Sequence, residues 1–131
     1  MYCPKCKEVM IVIELKQIET DYCTQCSGIW LDHGELELIL EDNEGKNASV
    51  FSSFTPDHKS AETAYPCPIC KKKMEKVRCG REKELLIDSC YNDHGLWFDD
   101  GELHELISTY TDSDDPVVGL LHEMFRFKLN N

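Results

Sequence analysis

Positive charge and long apolar runs are both scarce in this chain, and each shortage excludes a class of function. Lys and Arg number 14 against 25 Asp and Glu, so the formal net charge is −11 at pH 7. Such an acidic chain gains nothing from counterion release on DNA or RNA, so its bulk charge favours protein partners over non-specific nucleic-acid binding. No apolar run approaches the roughly 18 residues that a membrane-spanning helix needs.

The start of the sequence has little apolar character either. Its opening residues, Met-Tyr-Cys-Pro-Lys-Cys, do not form the apolar core of a signal peptide. We therefore expect a reducing, cytoplasmic location, in which cysteines serve metal or redox chemistry instead of structural disulfides.

Cysteine, by contrast, is abundant. The eight cysteines are Cys3, Cys6, Cys23, Cys26, Cys67, Cys70, Cys79 and Cys90. Six of them form Cys-x-x-Cys pairs, a spacing that suits metal or redox chemistry better than the disulfide scaffold of a secreted protein. The chain of 131 residues is long enough for one ordinary domain or for two small modules. Modules of roughly 40 residues bury too little apolar surface to fold unaided, so metal ions are expected to stabilise them.

Two stretches of the sequence repeat one another. Residues 21–36 read DYCTQCSGIWLDHGEL, and residues 88–103 read DSCYNDHGLWFDDGEL. This shared register predicts two copies of one structural unit. The predicted organisation is a first zinc ribbon at 1–42, a linker at 43–64, a second zinc ribbon at 65–110 and an amphipathic C-terminal helix at 111–131.

The predicted fold class is a small metal-stabilised α+β protein with two tandem zinc ribbons. Each ribbon is expected to be a zinc-knuckle β-hairpin followed by a short α-helix. In the first copy the apolar run Val9–Ile13 is the expected first strand of the hairpin, and Gln17–Tyr22 is the expected return strand. In the second copy the strands are expected near 73–79 and 84–89. Asp32 and its counterpart Asp99 are the expected N-caps of the helices.

The first copy carries a complete set of zinc ligands. Cys3-x-x-Cys6 is separated from Cys23-x-x-Cys26 by a spacer long enough for a hairpin. Two such turns at hairpin ends present four thiolates to one tetrahedral zinc ion. A pair of redox dithiols is the alternative, but it does not explain the hairpin-length spacer.

The second copy keeps three of these ligands, which are Cys67, Cys70 and Cys90. The position that matches Cys26 is Asp93, and His94 follows it. Zinc prefers imidazole to carboxylate when thiolates fill its other positions, so His94 is the predicted fourth ligand and Asp93 the alternative. Cys79 is left over near the hairpin tip. We expect a buried, uncoordinated residue there, with a substitute ligand or a redox sensor as the alternative.

Trp30 and Trp97 follow the second knuckle of each copy. We expect them to pack between hairpin and helix and to shield the metal sulfurs from water. Gly28 and Gly95, two residues earlier, are expected to relieve a left-handed turn of the backbone.

Cys-Pro-x-Cys, a hairpin and then Cys-x-x-Cys-Ser-Gly-Ile-Trp-Leu-Asp-x-Gly-Glu-Leu together resemble the bacterial zinc-finger family named after transcription factor TFIIB. The resemblance spans both copies and implies a zinc-ribbon fold that holds two Zn2+ ions. Some members resemble this chain in having a histidine just before the Gly-x-Trp step, which supports His94. The family ligands fall on Cys3, Cys6, Cys23, Cys26, Cys67, Cys70 and Cys90.

The expected function is that of a zinc-binding adaptor with structural metal sites, a protein partner and no enzymatic activity. The transcription-related name of the family gives one setting for it. The C-terminal helix is a candidate for homodimerisation. A zinc or thiol-redox enzyme is an alternative that needs an open position at the second metal. Nucleic-acid binding is the other alternative, through a basic hairpin of Lys71, Lys72, Lys73, Lys76, Arg78, Arg81 and Lys83.

Overall fold

The computed structural model describes residues 1–40, 54–60, 62–80 and 85–110. The predicted C-terminal helix at 111–131 lies outside these ranges. Neither helix in the described part of the chain is long and apolar enough to cross a membrane. The elements in chain order are β1 Ile11–Leu15, β2 Ile18–Tyr22, β3 Ile29–Asp32, α1 Glu35–Ile39, β4 Thr55–Pro56, β5 Glu75–Cys79, β6 Leu85–Ser89, β7 Gly95–Phe98 and α2 Glu102–Tyr110.

The first hairpin turns tightly between β1 and β2. Lys16 and Gln17 both have positive φ, of 51° and 66°. Two consecutive left-handed residues form the turn whose twist matches that of the flanking strands. β1 begins two residues later than the predicted strand, because Val9 instead forms a bridge with Tyr2 beside the first knuckle.

The two copies join into one antiparallel sheet of order β1-β2-β3-β7-β6-β5-β4. They meet where β3 pairs with β7, and there Trp30 lies opposite Trp97. These two residues occupy the same place in the repeat, so the junction has a pseudo-two-fold axis between them. The predicted hairpin–helix unit is therefore extended in each copy by a third strand, β3 or β7, that holds the copies together.

Part of the predicted linker also joins the sheet. Within 43–64, β4 pairs antiparallel with β5 and brings Thr55 opposite Arg78 and Pro56 opposite Val77. Proline has no backbone N–H to donate, and it is tolerated here because β4 is an edge strand of the sheet.

One face of the sheet, which we call the helix face, carries the main apolar core. Side chains alternate along a strand, so Ile29 and Leu31 of β3 point to this face while Trp30 points away from it. Leu36 and Ile39 of α1 pack here. The helix-face core consists of Leu15, Ile29, Leu31, Leu36, Ile39, Leu40, Val77, Cys79, Leu85, Ile87, Phe98, Leu103, Leu106 and Ile107.

The opposite face, which we call the zinc face, carries both tryptophans. The expected position of Trp30 and Trp97 between hairpin and helix was wrong, because both rings belong to a second cluster with the knuckle cysteines. The glycines explain how they fit. A Cβ added to Gly28 would lie 2.1 Å from Cζ2 of Trp97, and one added to Gly95 would lie 2.6 Å from Cζ2 of Trp30. Each copy thus accommodates the indole of the other, and neither glycine has the left-handed backbone expected from the sequence.

The first helix begins later than the N-cap expected at Asp32. Gly34 is the N-cap residue, with a φ of 91° and no side chain to cap the helix. Asp32 instead accepts a hydrogen bond of 2.8 Å from Nε1 of Trp30, and its backbone N–H donates to Oε1 of Glu35 at 2.6 Å. The carboxylate at this position therefore fixes the tryptophan.

Candidate metal centres

The first ligand group combines both ends of the β1–β2 hairpin. One possible ligand atom from each of its four residues lies within 4.8 Å of the others. Sγ of Cys3 and Sγ of Cys26 are 3.7 Å apart. Sulfurs at about 2.3 Å from a tetrahedral zinc ion are separated by about 3.8 Å, so this group fits zinc. Its members are Cys3, Cys6, Cys23 and Cys26.

The second group has three sulfurs and one imidazole. Sγ of Cys70 lies 3.7 Å from Sγ of Cys90. Nδ1 of His94 lies 3.5 Å from Sγ of Cys90 and 3.8 Å from Sγ of Cys67. These separations also suit a tetrahedral zinc ion. The structure thus brings His94 to the group, whereas Asp93 lines a surface cavity beside His33.

Backbone amides of the knuckles point at the sulfurs. The N–H groups of Lys5 and Cys6 donate to Sγ of Cys3 at 3.3 and 3.2 Å. In the second copy the N–H of Ile69 donates to Sγ of Cys67 at 3.4 Å. Such bonds stabilise the charged form of a sulfur, and thiolates are the form that binds zinc.

The thiol pKa values show why a cation belongs among these sulfurs. Burial raises the pKa of Cys67 to about 11, and burial likewise raises the pKa of Cys26. A hydrogen bond from the backbone N–H of Lys72 lowers the pKa of Cys70 to about 6. A cluster with several thiolates therefore needs a positive ion, and zinc binding is expected to release protons.

The two ligand groups share one apolar shell on the zinc face. Trp30 and Trp97 are fully buried in it, which agrees with the expected shielding of the sulfurs. Met10 and Met74 join the same shell, and sequence reasoning missed them. The signal was present, because both methionines stand four residues after the second cysteine of an opening knuckle.

Comparison with known proteins adds one result. Residues 2–42 match the TFIIB-type zinc-ribbon family model, described as a transcription factor zinc-finger. The match covers the first copy, and no significant match was found among curated proteins or solved structures. The zinc-ribbon match and the two ligand groups together support two zinc ions per chain.

The basic hairpin proposed for nucleic acid has two of its cations, Lys76 and Arg78, paired with carboxylates within the protein. Lys76 is buried, and its Nζ lies 2.6 Å from Oδ1 of Asp88. Nε of Arg78 lies 2.7 Å from Oδ2 of Asp57. Lys71 donates to the carbonyl oxygen of its own knuckle at 2.8 Å. Lys72 and Lys73 are exposed, whereas Arg81 and Lys83 lie outside the described residues.

Cys79 lies in a different apolar cluster from the cysteines of the two ligand groups. It is fully buried in the helix-face core and belongs to neither group. All eight cysteines are within the described ranges, and none of them forms a disulfide. Its burial fits the expected role of a core residue.

Proposed function

We propose that the chain is a zinc-stabilised adaptor that binds a protein partner and catalyses no reaction. One observation carries the proposal: each ligand group offers four protein atoms. Zinc sites with four protein ligands are closed, whereas catalytic zinc sites keep a position for water or substrate. The zinc ions then stabilise the fold, and recognition is left to the surface.

The surface favours a protein as the partner. The chain has a net charge of −11, and the basic side chains Lys76 and Arg78 already face carboxylates. Exposed apolar residues also cluster in the first copy, with Tyr2 57%, Val9 62% and Val12 59% exposed. Apolar surface of this kind marks protein interfaces more often than nucleic-acid interfaces. The description of the family model makes a transcription-related partner the first class to test.

The test compares zinc-loaded chain with chain stripped of zinc by a chelator under reducing conditions. Proteins crosslinked to the zinc-loaded chain in cells are identified by mass spectrometry, and each candidate is then purified and titrated. We expect saturable one-to-one binding to the zinc-loaded chain and none to the stripped chain.

Nucleic acid provides the contrasting result. DNA and RNA are titrated at several salt concentrations, because phosphate contacts give affinity that falls steeply with salt. Saturable, salt-dependent binding to nucleic acid without any purified protein partner would contradict the adaptor function. A water ligand on the second zinc would show an open coordination position and would remove the argument against catalysis.

A further inference from the structure

We propose that the outer edge of β1 is a docking site for an extended, basic peptide segment of a partner protein, which joins the sheet as an additional strand. The proposal rests on the adaptor function above, and it adds the surface and the chemistry of the partner. β1 and β5 are equivalent strands of the two copies, but among the described residues only β5 has a further strand along its outer edge.

The outer edge of β5 is covered by another strand. β4 runs along it, with Thr55 opposite Arg78, and the N–H of Asp57 donates to the carbonyl oxygen of Lys76 at 2.9 Å. Counting from the opening cysteine of each copy, Lys76 corresponds to Val12 and Arg78 to Glu14. In the described part of the chain, the only strand paired with β1 is β2, on its inner side.

The backbone of β1 offers hydrogen-bonding groups on the open side. Leu15 and Ile18 flank the two-residue turn, and residues at alternate positions of an antiparallel pair bond to each other. Ile13 and Ile11 therefore bond to β2, which leaves the N–H and C=O groups of Val12 and Glu14 pointing outward. These are the positions at which β5 receives β4.

Apolar side chains surround this open edge. Val12 is 59% exposed and Ile11 is 48% exposed, whereas Lys76, the counterpart of Val12, is only 7% exposed. Natural proteins protect such edges with charge, proline or a covering segment, because an apolar edge readily pairs with another strand. β4 gives that protection to the second copy.

The charges on β1 and β5 indicate which charge a partner strand beside β1 should carry. On β5 both cations face a carboxylate: Lys76 faces Asp88, and Arg78 faces Asp57 on the covering segment. In the first copy Glu14 replaces the arginine and lies opposite Glu19.

Both of these glutamates are exposed, and neither forms an ion pair within the described residues. Like charges opposite each other on a sheet are destabilising, so a cation beside them is favourable. The docking strand is therefore expected to carry Lys or Arg next to Glu14 and an apolar residue next to Val12. Its cation would pair with Glu14 as Asp57 pairs with Arg78 in the second copy, with the charges exchanged. An acidic edge of this kind does not suit nucleic acid.

The experiment titrates the full-length, zinc-loaded chain with two synthetic peptides. One reads Thr-Val-Thr-Lys-Val-Lys-Thr-Val-Thr, and the other has Glu in place of both lysines. Backbone amide shifts followed by NMR report both affinity and position. We expect the lysine peptide to bind at least about tenfold more tightly, with shifts concentrated on β1, and to weaken as salt is added.

A charge swap separates docking from general attraction. Glu14→Arg is expected to reverse the preference, so that the glutamate peptide binds better. Glu37→Arg is the matched control, because it makes the same charge change at an exposed residue of α1. It should leave the lysine peptide preferred. Zinc content and circular dichroism verify that both variants fold.

Three results would overturn the proposal. The first is failure of the lysine peptide to bind, or shifts confined to surfaces other than β1. The second is binding only after the double substitution R126E/K128E in the full chain, which would assign the edge to the chain's own C-terminal residues. The third is a dimer in sedimentation that Glu14→Arg dissociates, which would assign the edge to a second copy.

The proposed function has a separate readout. A purified partner that binds the Glu14→Arg variant as tightly as the unaltered chain leaves the adaptor function standing and removes this docking site. Conversely, a zinc site that proves to have fewer than four protein ligands removes the basis of the functional proposal without any measurement on β1.

Discussion

His94 occupies the corner of the second ligand group that Cys26 occupies in the first, although Asp93 aligns with Cys26 in the repeat. The backbone explains the exchange. Asp93 has a φ of 60°, so its loop turns there and the next side chain points at the sulfurs. The grouping of the seven cysteines could be predicted from their spacing, whereas the choice between Asp93 and His94 depended on this turn.

We predict that His94→Ala lowers the zinc content from two ions to one per chain after dialysis against a moderate chelator. Loss of the imidazole leaves three sulfurs, which hold zinc more weakly than four ligands. Asp93→Asn, the matched control, should keep both ions. Elemental analysis of both variants measures the number of zinc ions per chain. Loss of zinc from the Asp93 variant alone would show that the carboxylate is the ligand.

Glu102 is the other residue whose environment has a measurable consequence. Burial, followed by the nearby charge of Asp99, raises the pKa of Glu102 to about 8. One of its carboxylate oxygens is buried and has no hydrogen-bond partner within the described structure. Between the ordinary pKa near 4.5 and about 8 the folded chain holds a proton that the unfolded chain releases. This group therefore stabilises the fold at low pH and ceases to do so as pH rises.

We predict that Glu102→Gln stabilises the chain more at pH 8 than at pH 5.5. The neutral amide removes the cost of ionising a buried carboxyl, which we place on the order of 1–2 kcal/mol after solvent screening. Urea unfolding of both proteins at the two pH values measures the difference. Because both proteins bind zinc in the same way, the pH dependence of the thiolates cancels. A benefit that grows towards low pH would contradict the assignment.

At the scale of elements, the pairing of β3 with β7 determines the architecture. Trp97 lies against Gly28, and Trp30 lies against Gly95, so each copy completes the packing of the other. Sequence reasoning predicted the hairpins well, since their partners are close along the chain and their turns are local. It did not predict this junction or β4, because pairing between distant strands depends on shape complementarity that no short motif encodes.

We predict that Gly28→Ala destabilises the chain by about 1–3 kcal/mol, because its new Cβ would overlap the ring of Trp97. In a Trp97→Leu background the same substitution should cost much less, since the obstructing ring is gone. Unfolding free energies of the four proteins form a double-mutant cycle. Additive costs would show that the two residues are not in contact.

At the scale of the molecule, the described residues form one sheet with both candidate ligand groups on one face and the helices on the other. Because the ligand groups share their apolar shell, we expect the metals and the junction to stabilise one another. Composition and spacing were enough to predict two groups of candidate metal ligands. The shared shell depends on Met10, Met74 and both tryptophans meeting across the repeat, which the sequence of either copy alone does not specify.

We predict that Cys26→Ser weakens both zinc sites. The first loses a ligand directly, and the second loses support because the shell around Trp30 loosens. Competition with a chromogenic chelator measures release of each ion. Unchanged release of the second ion would show that the two copies are energetically independent.

Zinc K-edge X-ray absorption of the reduced, full-length chain, calibrated by elemental analysis, tests the central claim most directly. The account predicts two zinc ions per chain, with seven sulfur ligands and one imidazole nitrogen between them and no bound water. A single ion, an oxygen ligand from water, or a folded metal-free chain with its cysteines joined in disulfides would contradict it.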